Sequence, residues 1–245
     1  MAGLLAERQE RGLIDAINAG YGLNSGKVFT IRGPSGDKIT GCIKAEKYEG
    51  RSAAGTEPYT DVIITTKKGL INISNKGTSA PSIAGGGLKG LELALPGFTK
   101  RFLDAALQKY IQMGFTEGMA GLPDMYGKVS DNLKEQIVVG NAAMGGPINY
   151  MYIGPMDVKY NFSPGTVRVN GKFYDAVKYA KKNDLFLRLR KRRVDQPFAP
   201  NETDRQGLPL IMGKSPSRGD KGRRIVTVAK PVSYTHLTLP TNSLV

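Results

Sequence analysis

The sequence predicts an α/β protein with a mixed central sheet flanked by helices, and three observations lead to this class. Short runs rich in β-branched residues recur along the chain, bounded by Gly, Pro, Asn or Ser, as is typical of strands. Segments with apolar residues at helical spacing alternate with them. The 245 residues, 40% of them apolar, are enough for one large domain or two small ones with a proper core.

The first predicted element is a helix over Leu4 to Ala19, which ends at Gly20. Strands follow at Lys27–Arg32 and Lys38–Ala45, joined by a Gly-Pro-Ser-Gly turn. The single Cys42 lies in the second strand. We expect it to be a buried strand residue, because a lone cysteine without a histidine partner is a poor nucleophile.

A hairpin is the next predicted element, and the rest of the chain is arranged around it. Two β-type runs, Asp61–Thr66 and Leu70–Ser74, flank Lys67-Lys68-Gly69, whose glycine and paired lysines suit a tight, solvated turn. The polar loop before the hairpin, Tyr48 to Thr56, leads to it and can shield a site there. The loop after it, residues 77–87, is rich in glycine and suits an approach to phosphates, or is simply flexible.

Three polar side chains of this hairpin form the candidate site. Alternation along the second strand puts Ser74 and Lys76 on one face, and Asp61 at the start of the neighbouring strand can reach that face. A carboxylate, a short oxygen ligand and an ammonium at a strand end can hold Mg²⁺ and polarise a water for attack on a phosphodiester. The alternative is that Asp61 only caps a strand and Lys76 is a solvated edge lysine.

Six more elements are predicted in the second half of the chain. Three have helical spacing: Phe98–Gly114, Ser130–Val139 with Ser130 as its cap, and Asp175–Asn183. Three have strand character: Tyr150–Gly154, Thr166–Val169 and Lys172–Tyr174. The dipeptide Asn170-Gly171 predicts a hairpin turn between the last two strands.

The net charge of +14 predicts a polyanionic partner, nucleic acid before membrane, because no basic amphipathic helix is evident. The segment from Lys181 to Arg224 holds 13 basic against 5 acidic residues, and its leucines alternate with arginines. Six arginines are predicted to contact DNA: Arg188, Arg190, Arg192, Arg193, Arg223 and Arg224. A solvated face is the alternative explanation of such a charge run.

The C-terminal stretch is unlike a natural protein end, since Val232–Thr241 resembles the in-frame translation of a sequencing adapter. It contains His236, the only histidine, so the natural part is expected to lack histidine chemistry. We therefore divide the chain into a core (1–140), a basic β-rich part that completes the fold (141–230) and a non-native tail (231–245), and we expect the true C-terminus to be missing.

The stretch E-P-Y-T-D, followed by I-N-I-S-N-K-G-T-S-A-P-S, resembles the PD-(D/E)xK nuclease core in a variant carried by restriction-like endonucleases of tailed phages. In that family an Asp opens the second core strand and a (D/E)xK triplet lies on the third. Here the triplet position reads Ser74-Asn75-Lys76, with serine in place of the usual acid. The later run L-F-L-R-L-R-K-R-R is similar to the C-terminal halves of such proteins. The resemblance implies a restriction-endonuclease-like core.

The resemblance also implies roles for four residues. Asp61 would ligate Mg²⁺, Ser74 would offer a neutral oxygen, and Lys76 would orient or deprotonate the attacking water. Relatives often carry a glutamate on a helix before the core strands, and Glu10 fits that position. For Glu10 the alternative is an exposed acid favoured by the helix dipole.

The sequence is thus interpreted as a Mg²⁺-dependent DNA endonuclease, encoded by a phage and acting in the cytoplasm of the infected host. Duplex DNA is the expected substrate rather than RNA, and a homodimer is compatible with it. No apolar run approaches the roughly 20 residues that cross a bilayer. The competing hypothesis is a non-catalytic nucleic-acid-binding or virion-associated protein that keeps the nuclease fold with a degraded site.

Overall fold

The structure is a computed structural model, and it describes residues 2–78, 87–114, 124–191, 223–228 and 237–239. The helices within these residues are α1 (Ala2–Leu23), α2 (Gly87–Ala94), α3 (Phe98–Gln112), α4 (Asp131–Val139) and α5 (Ala176–Lys182). The strands are β1 (Phe29–Arg32), β2 (Lys38–Lys47), β3 (Val62–Thr66), β4 (Gly69–Gly77), β5 (Met125–Lys128), β6 (Tyr150–Gly154), β7 (Tyr160–Ser163), β8 (Thr166–Val169), β9 (Lys172–Asp175), β10 (Phe186–Lys191), β11 (Arg223–Val228) and β12 (Leu237–Leu239).

The main sheet has eight strands in the order β7-β8-β1-β2-β3-β4-β6-β9. It is mixed, because β1 runs parallel to β8 and β4 parallel to β6, while the other pairs are antiparallel. Helices flank this sheet, so the predicted α/β class with a mixed central sheet is confirmed. A smaller sheet, in the order β11-β10-β5-β12, stands beside it.

The predicted hairpin of β3 and β4 is present, with Val62 opposite Ile73 and Thr66 opposite Gly69. Helices and strands also occur close to the predicted places elsewhere in the described residues. Cys42 is fully buried in β2, as predicted, and burial raises the pKa of its thiol to about 11. A thiol with a raised pKa is protonated at neutral pH and a weak nucleophile.

The prediction of a hairpin at Asn170-Gly171 is wrong. Strand β8 pairs with β1 and β7, whereas β9 pairs with β6 near the opposite edge of the sheet. Since only two residues join β8 to β9, the sheet must curve back until its two sides meet at this link, which we call the seam. A β-carbon on Gly154 would lie 2.7 Å from the Cα of Gly171, so the seam depends on glycine for close backbone approach.

Helix α1 lies against the concave side of this curved sheet. Its buried residues Leu13, Ala16 and Ile17 share one core cluster with side chains of β1, β2, β3, β4, β6, β8 and β9. The predicted end of the helix at Gly20 is wrong, because the helix continues to Leu23. A β-carbon at Gly20 would meet Val167 at 2.4 Å, so this glycine permits close packing rather than ending the helix.

The second core cluster lies on the other side, among α2 to α5 and the smaller sheet. Helix α3 buries Phe98, Phe102, Ala106 and Tyr110 in it. Ser130 is the N-cap of α4 by position, but its side chain makes no capping hydrogen bond.

The basic C-terminal part is described only in pieces. Strand β10 lies between β5 and β11, and Leu187 and Leu189 are buried, as the predicted alternation requires. Leu237–Leu239, within the stretch expected to be a non-native tail, runs parallel to β5 at the edge of the smaller sheet. In the described part of the chain, no helix is long and apolar enough to cross a membrane.

Candidate active site

Asp61 immediately precedes β3, and its backbone is held on both sides. Its N–H donates to the carbonyl of Ile73 at 2.8 Å, and its carbonyl accepts the N–H of Tyr48 at 3.0 Å. The preceding Thr60 is buried and donates its N–H and its hydroxyl to the carbonyl of Gly145, at 3.1 and 2.7 Å. These bonds position Asp61 before any ligand arrives.

The carboxylate of Asp61 extends the hydrogen bonding between β3 and β4 beyond the end of β3. Its Oδ2 accepts the backbone N–H of Asn75 at 2.6 Å and the hydroxyl of Ser74 at 3.1 Å. Both bonds go to Oδ2 of the carboxylate. Ser74 is only 2% exposed, so its hydroxyl is directed at Asp61 rather than at solvent.

Ser74 and Lys76 lie on the face of the sheet away from α1. Their neighbour Ile73 belongs to the α1 core cluster, whereas Met151, the register partner of Ser74, belongs to the other cluster. Lys76 is partly buried and interacts electrostatically with Asp61. The structure therefore brings Asp61, Ser74 and Lys76 together at the end of the hairpin.

Glu10 approaches Asp61 from the α1 side. Its side chain is 15% exposed, and its Oε2 lies 3.6 Å from Nζ of Lys47. Glu10 and Asp61 line the same cavity. Asp61 therefore shares the cavity wall with Glu10, and the charge of Lys76 acts on it as well.

The electrostatics of the two acids are coupled. Burial raises the pKa of the Asp61 carboxyl, and the charge of Glu57 adds to this, while Lys76, the Asn75 N–H and Ser74 oppose it. Burial also raises the pKa of Glu10, followed by the charge of Asp61, while Lys47 opposes the rise. Burial is thus the largest cause of the raised pKa of both acids.

The cavity has a volume of about 340 Å³ and lies between α1 and the loop that leads into β3. At about 30 Å³ per water molecule, it has room for a hydrated ion and a phosphate group. Residues of this loop line the cavity wall, and its predicted role, to shield the site or to touch DNA, stays a prediction. Glu57 also lines the cavity, and the sequence interpretation missed it although it opens the quoted E-P-Y-T-D stretch.

Two carboxylates are available for a metal ion. Among the described residues, no group of three or more His, Cys, Asp or Glu side chains is arranged to hold one. Mg²⁺ in phosphoryl-transfer sites is nevertheless commonly held by one or two carboxylates, completed by waters and substrate phosphates. Asp61 and Glu10 fit such a site, because both are carboxyl groups that line one cavity. Ser74 fits less well as a ligand, since its hydroxyl donates to Asp61.

The predicted DNA-binding arginines within the described residues lie on strands of the smaller sheet. The guanidinium of Arg188 pairs with Asp124 at 2.7 Å and lies 5.8 Å from the ring centre of Tyr126. In the backbone register, Arg190 is opposite Arg224, and Arg223 is opposite Lys191, all on β10 and β11 of the smaller sheet. Arg192 and Arg193 lie outside the described residues, as does His236.

Comparison with known proteins adds no relative: no family model, no curated protein and no solved structure matches the chain. The resemblance to PD-(D/E)xK nucleases therefore stays a prediction.

The coupled acids predict a pH-dependent effect of Asp61→Asn on stability. A carboxyl with a raised folded pKa binds its proton more tightly in the folded state, so it destabilises the fold as the pH rises above its ordinary value. Asparagine removes the charge and keeps an oxygen that can accept from Asn75. Without divalent ions, we expect the variant to melt a few degrees above wild type near pH 7.5 and with a much smaller difference near pH 4.

Thermal melts at the two pH values measure this difference. Asp157→Asn is the matched control, because Asp157 is an acid on the surface whose partner within the described residues is the exposed Arg8. An Asp61→Asn melting temperature below wild type at both pH values would contradict the electrostatic account.

Proposed function

We propose that this protein is a Mg²⁺-dependent DNA endonuclease that hydrolyses phosphodiester bonds at the Asp61 site. One observation carries the proposal: two electrostatically coupled carboxylates, Asp61 and Glu10, line one cavity, with the ammonium of Lys76 close enough to act on Asp61. Acids, a lysine and room for a phosphate are the components that metal-assisted phosphodiester hydrolysis needs.

Each residue has a defined role in this proposal. Asp61 and Glu10 would hold Mg²⁺, which when bound supplies Lewis acidity to the phosphate and lowers the pKa of a water. The Asn75 N–H and the Ser74 hydroxyl hold Asp61 through Oδ2, so that the carboxylate is positioned before a metal ion binds. Lys76 orients the attacking water and stabilises the charge that develops on the phosphate oxygens.

The net charge of +14 supports a nucleic-acid substrate, because a basic protein attracts the phosphate backbone. The proposal extends to duplex DNA as substrate, a phage origin related to PD-(D/E)xK nucleases, action in the cytoplasm of the infected host and a homodimeric assembly.

The test is cleavage of supercoiled plasmid with Mg²⁺ or with EDTA. Wild type should nick the plasmid only with Mg²⁺, and Lys76→Ala should be slower by about 100-fold or more, the usual effect of losing one charge-stabilising donor. Lys44→Ala is the matched control, because Lys44 pairs with Glu46 on the surface of β2 and should leave the rate unchanged. Wild type without any Mg²⁺-dependent nicking would overturn the proposal.

A second candidate is a non-catalytic nucleic-acid-binding or virion-associated protein with the same fold. It is favoured by Ser74, which stands where the motif usually has an acid. The Ser74 hydroxyl donates a hydrogen bond to Asp61. This candidate predicts DNA binding in EDTA and no cleavage with any divalent ion, so the same plasmid assay separates the two.

A further inference from the structure

Three cationic side chains form a row across the main sheet, and we call it the basic rung: Lys38 on β2, Arg32 on β1 and Arg168 on β8. In the strand register, Arg32 is paired with Lys38 on one side and with Arg168 on the other. Directly paired residues carry their side chains on the same face. Because neighbouring strands lie about 4.8 Å apart, the three Cα positions span only about 10 Å.

The basic rung faces outward. The residues that alternate with it, Ile31, Ile39 and Val167, are buried in the α1 core cluster on the opposite face. Lys38 and Arg168 are exposed, and Arg32 is partly exposed. The row is therefore accessible to a ligand on the convex side of the curved sheet.

The charge of the basic rung is not balanced from within the described part of the chain. None of its three members forms an ion pair there, and like charges directly opposite each other destabilise a sheet. Asp37 is adjacent in sequence to Lys38, but its carboxylate accepts the N–H groups of Phe173 and Ser35. The arrangement therefore costs stability unless an anion covers it.

A second row lies one pleat further along the same strands, and we call it the hydroxyl rung: Thr40, Thr30, Thr166 and Ser163. Phosphate oxygens of nucleic acids accept hydrogen bonds from hydroxyl, arginine and lysine side chains. The two rungs together offer these donors and contain no acid. They also contain no large apolar side chain, which a membrane-binding surface needs for insertion.

We propose that the basic rung and the hydroxyl rung bind the phosphodiester backbone of a nucleic acid, at a surface separate from the Asp61 cavity. This inference rests on the proposed function for its choice of ligand. Lys38 begins β2, and Lys47 at its other end pairs with Val62, next to Asp61. Nine steps at about 3.3 Å each put the two surfaces roughly 30 Å apart, the length of about nine base pairs.

The test measures binding of a labelled duplex of about 30 base pairs by fluorescence anisotropy in EDTA, so that no cleavage occurs. The rung variant carries Arg32→Gln, Lys38→Gln and Arg168→Gln. Its matched control removes three charges from α5 by Lys178→Gln, Lys181→Gln and Lys182→Gln, which are all exposed.

The rung variant should bind at least tenfold more weakly than wild type, whereas the control should change less than threefold. The slope of log affinity against log salt should fall by about 2 to 3 in the rung variant, since each lost phosphate contact contributes about 0.9. Its melting temperature should equal or exceed that of wild type, because like-charge repulsion is removed. If the triple variant does not fold, Arg168→Gln alone should lower the slope by about 1.

Three outcomes would overturn this inference: wild-type affinity in the rung variant, equal losses in both triple variants, or binding to anionic vesicles without binding to DNA. The nuclease proposal fails independently of it. Rung-dependent binding without plasmid cleavage would leave the surface standing and remove the catalytic role. If the protein cleaves plasmid but the rung variant binds DNA like wild type, the catalytic role stands and the proposed binding surface is wrong.

Discussion

Asp61→Asn is expected to slow Mg²⁺-dependent plasmid cleavage by about 1,000-fold, the order seen when a central charge-stabilising group is lost. The variant keeps the size of the side chain and an oxygen for the Asn75 N–H, but it removes the charge that would hold the cation. Affinity for duplex DNA in EDTA should be unchanged or higher, because a negative charge that repels phosphate is gone. Binding and cleavage should thus separate in a single variant.

Substitutions of residues around Asp61 should reduce the cleavage rate to different degrees. Glu10→Gln removes the second carboxylate and should lose nearly as much activity as Asp61→Asn. Ser74→Ala removes one of the two hydrogen bonds to Asp61 and should lose only about tenfold, about the value of one neutral hydrogen bond. Asp157→Asn, on the surface, should cleave like wild type. Normal cleavage by Asp61→Asn would show that the site lies elsewhere.

Gly171→Ala is expected to destabilise the protein by about 1 to 3 kcal/mol, the usual cost of overpacking a filled core. The added β-carbon would lie 2.3 Å from Cζ of Tyr152 and 2.5 Å from its hydroxyl oxygen. Tyr152 is fully buried and packs against Phe173, with ring centres 5.2 Å apart, so it has little room to move. The melting temperature should fall by roughly 2 to 12 °C for a chain of this length.

Gly22→Ala is the matched control for the seam. Gly22 lies in the last turn of α1, and nothing is within 4 Å of the position its β-carbon would take. The same substitution there should be neutral or stabilise by up to about 1 kcal/mol, because alanine favours helix. If Gly171→Ala melts like Gly22→Ala, Tyr152 does not pack tightly against Gly171 at the seam.

The hairpin could be predicted from the sequence because its signals are local. Lys67-Lys68-Gly69 suits a turn, and the runs on either side are rich in β-branched residues, so turn and strands agree within about fifteen residues. Because Asp61, Ser74 and Lys76 all belong to this hairpin, its local pairing also predicted that they lie together. The alternation of Leu187 and Leu189 with arginines likewise predicted their burial.

Long-range contacts decided what the local signals could not. Gly20 suggests a helix end, yet Val167 approaches it and the helix continues. Asn170-Gly171 suggests a hairpin, yet β8 pairs with β1 and β9 pairs with β6. Strand pairing depends on packing across the whole sheet and not only on the turn. The ion pair of Arg188 with Asp124, 64 positions earlier, could not be predicted from local signals either, and the DNA contact of Arg188 stays a prediction.

The sequence by itself determined the α/β class, the hairpin with its three polar side chains, the burial of Cys42 and the strong positive charge. Each depends on residue type and on spacing within one or two elements. Only the tertiary structure decided that Glu57 joins Asp61 and Glu10 at one cavity, and that Arg32, Lys38 and Arg168 form one row. The physical reason is that these side chains meet through the curvature of the sheet and the docking of α1, which depend on the packing of the entire core.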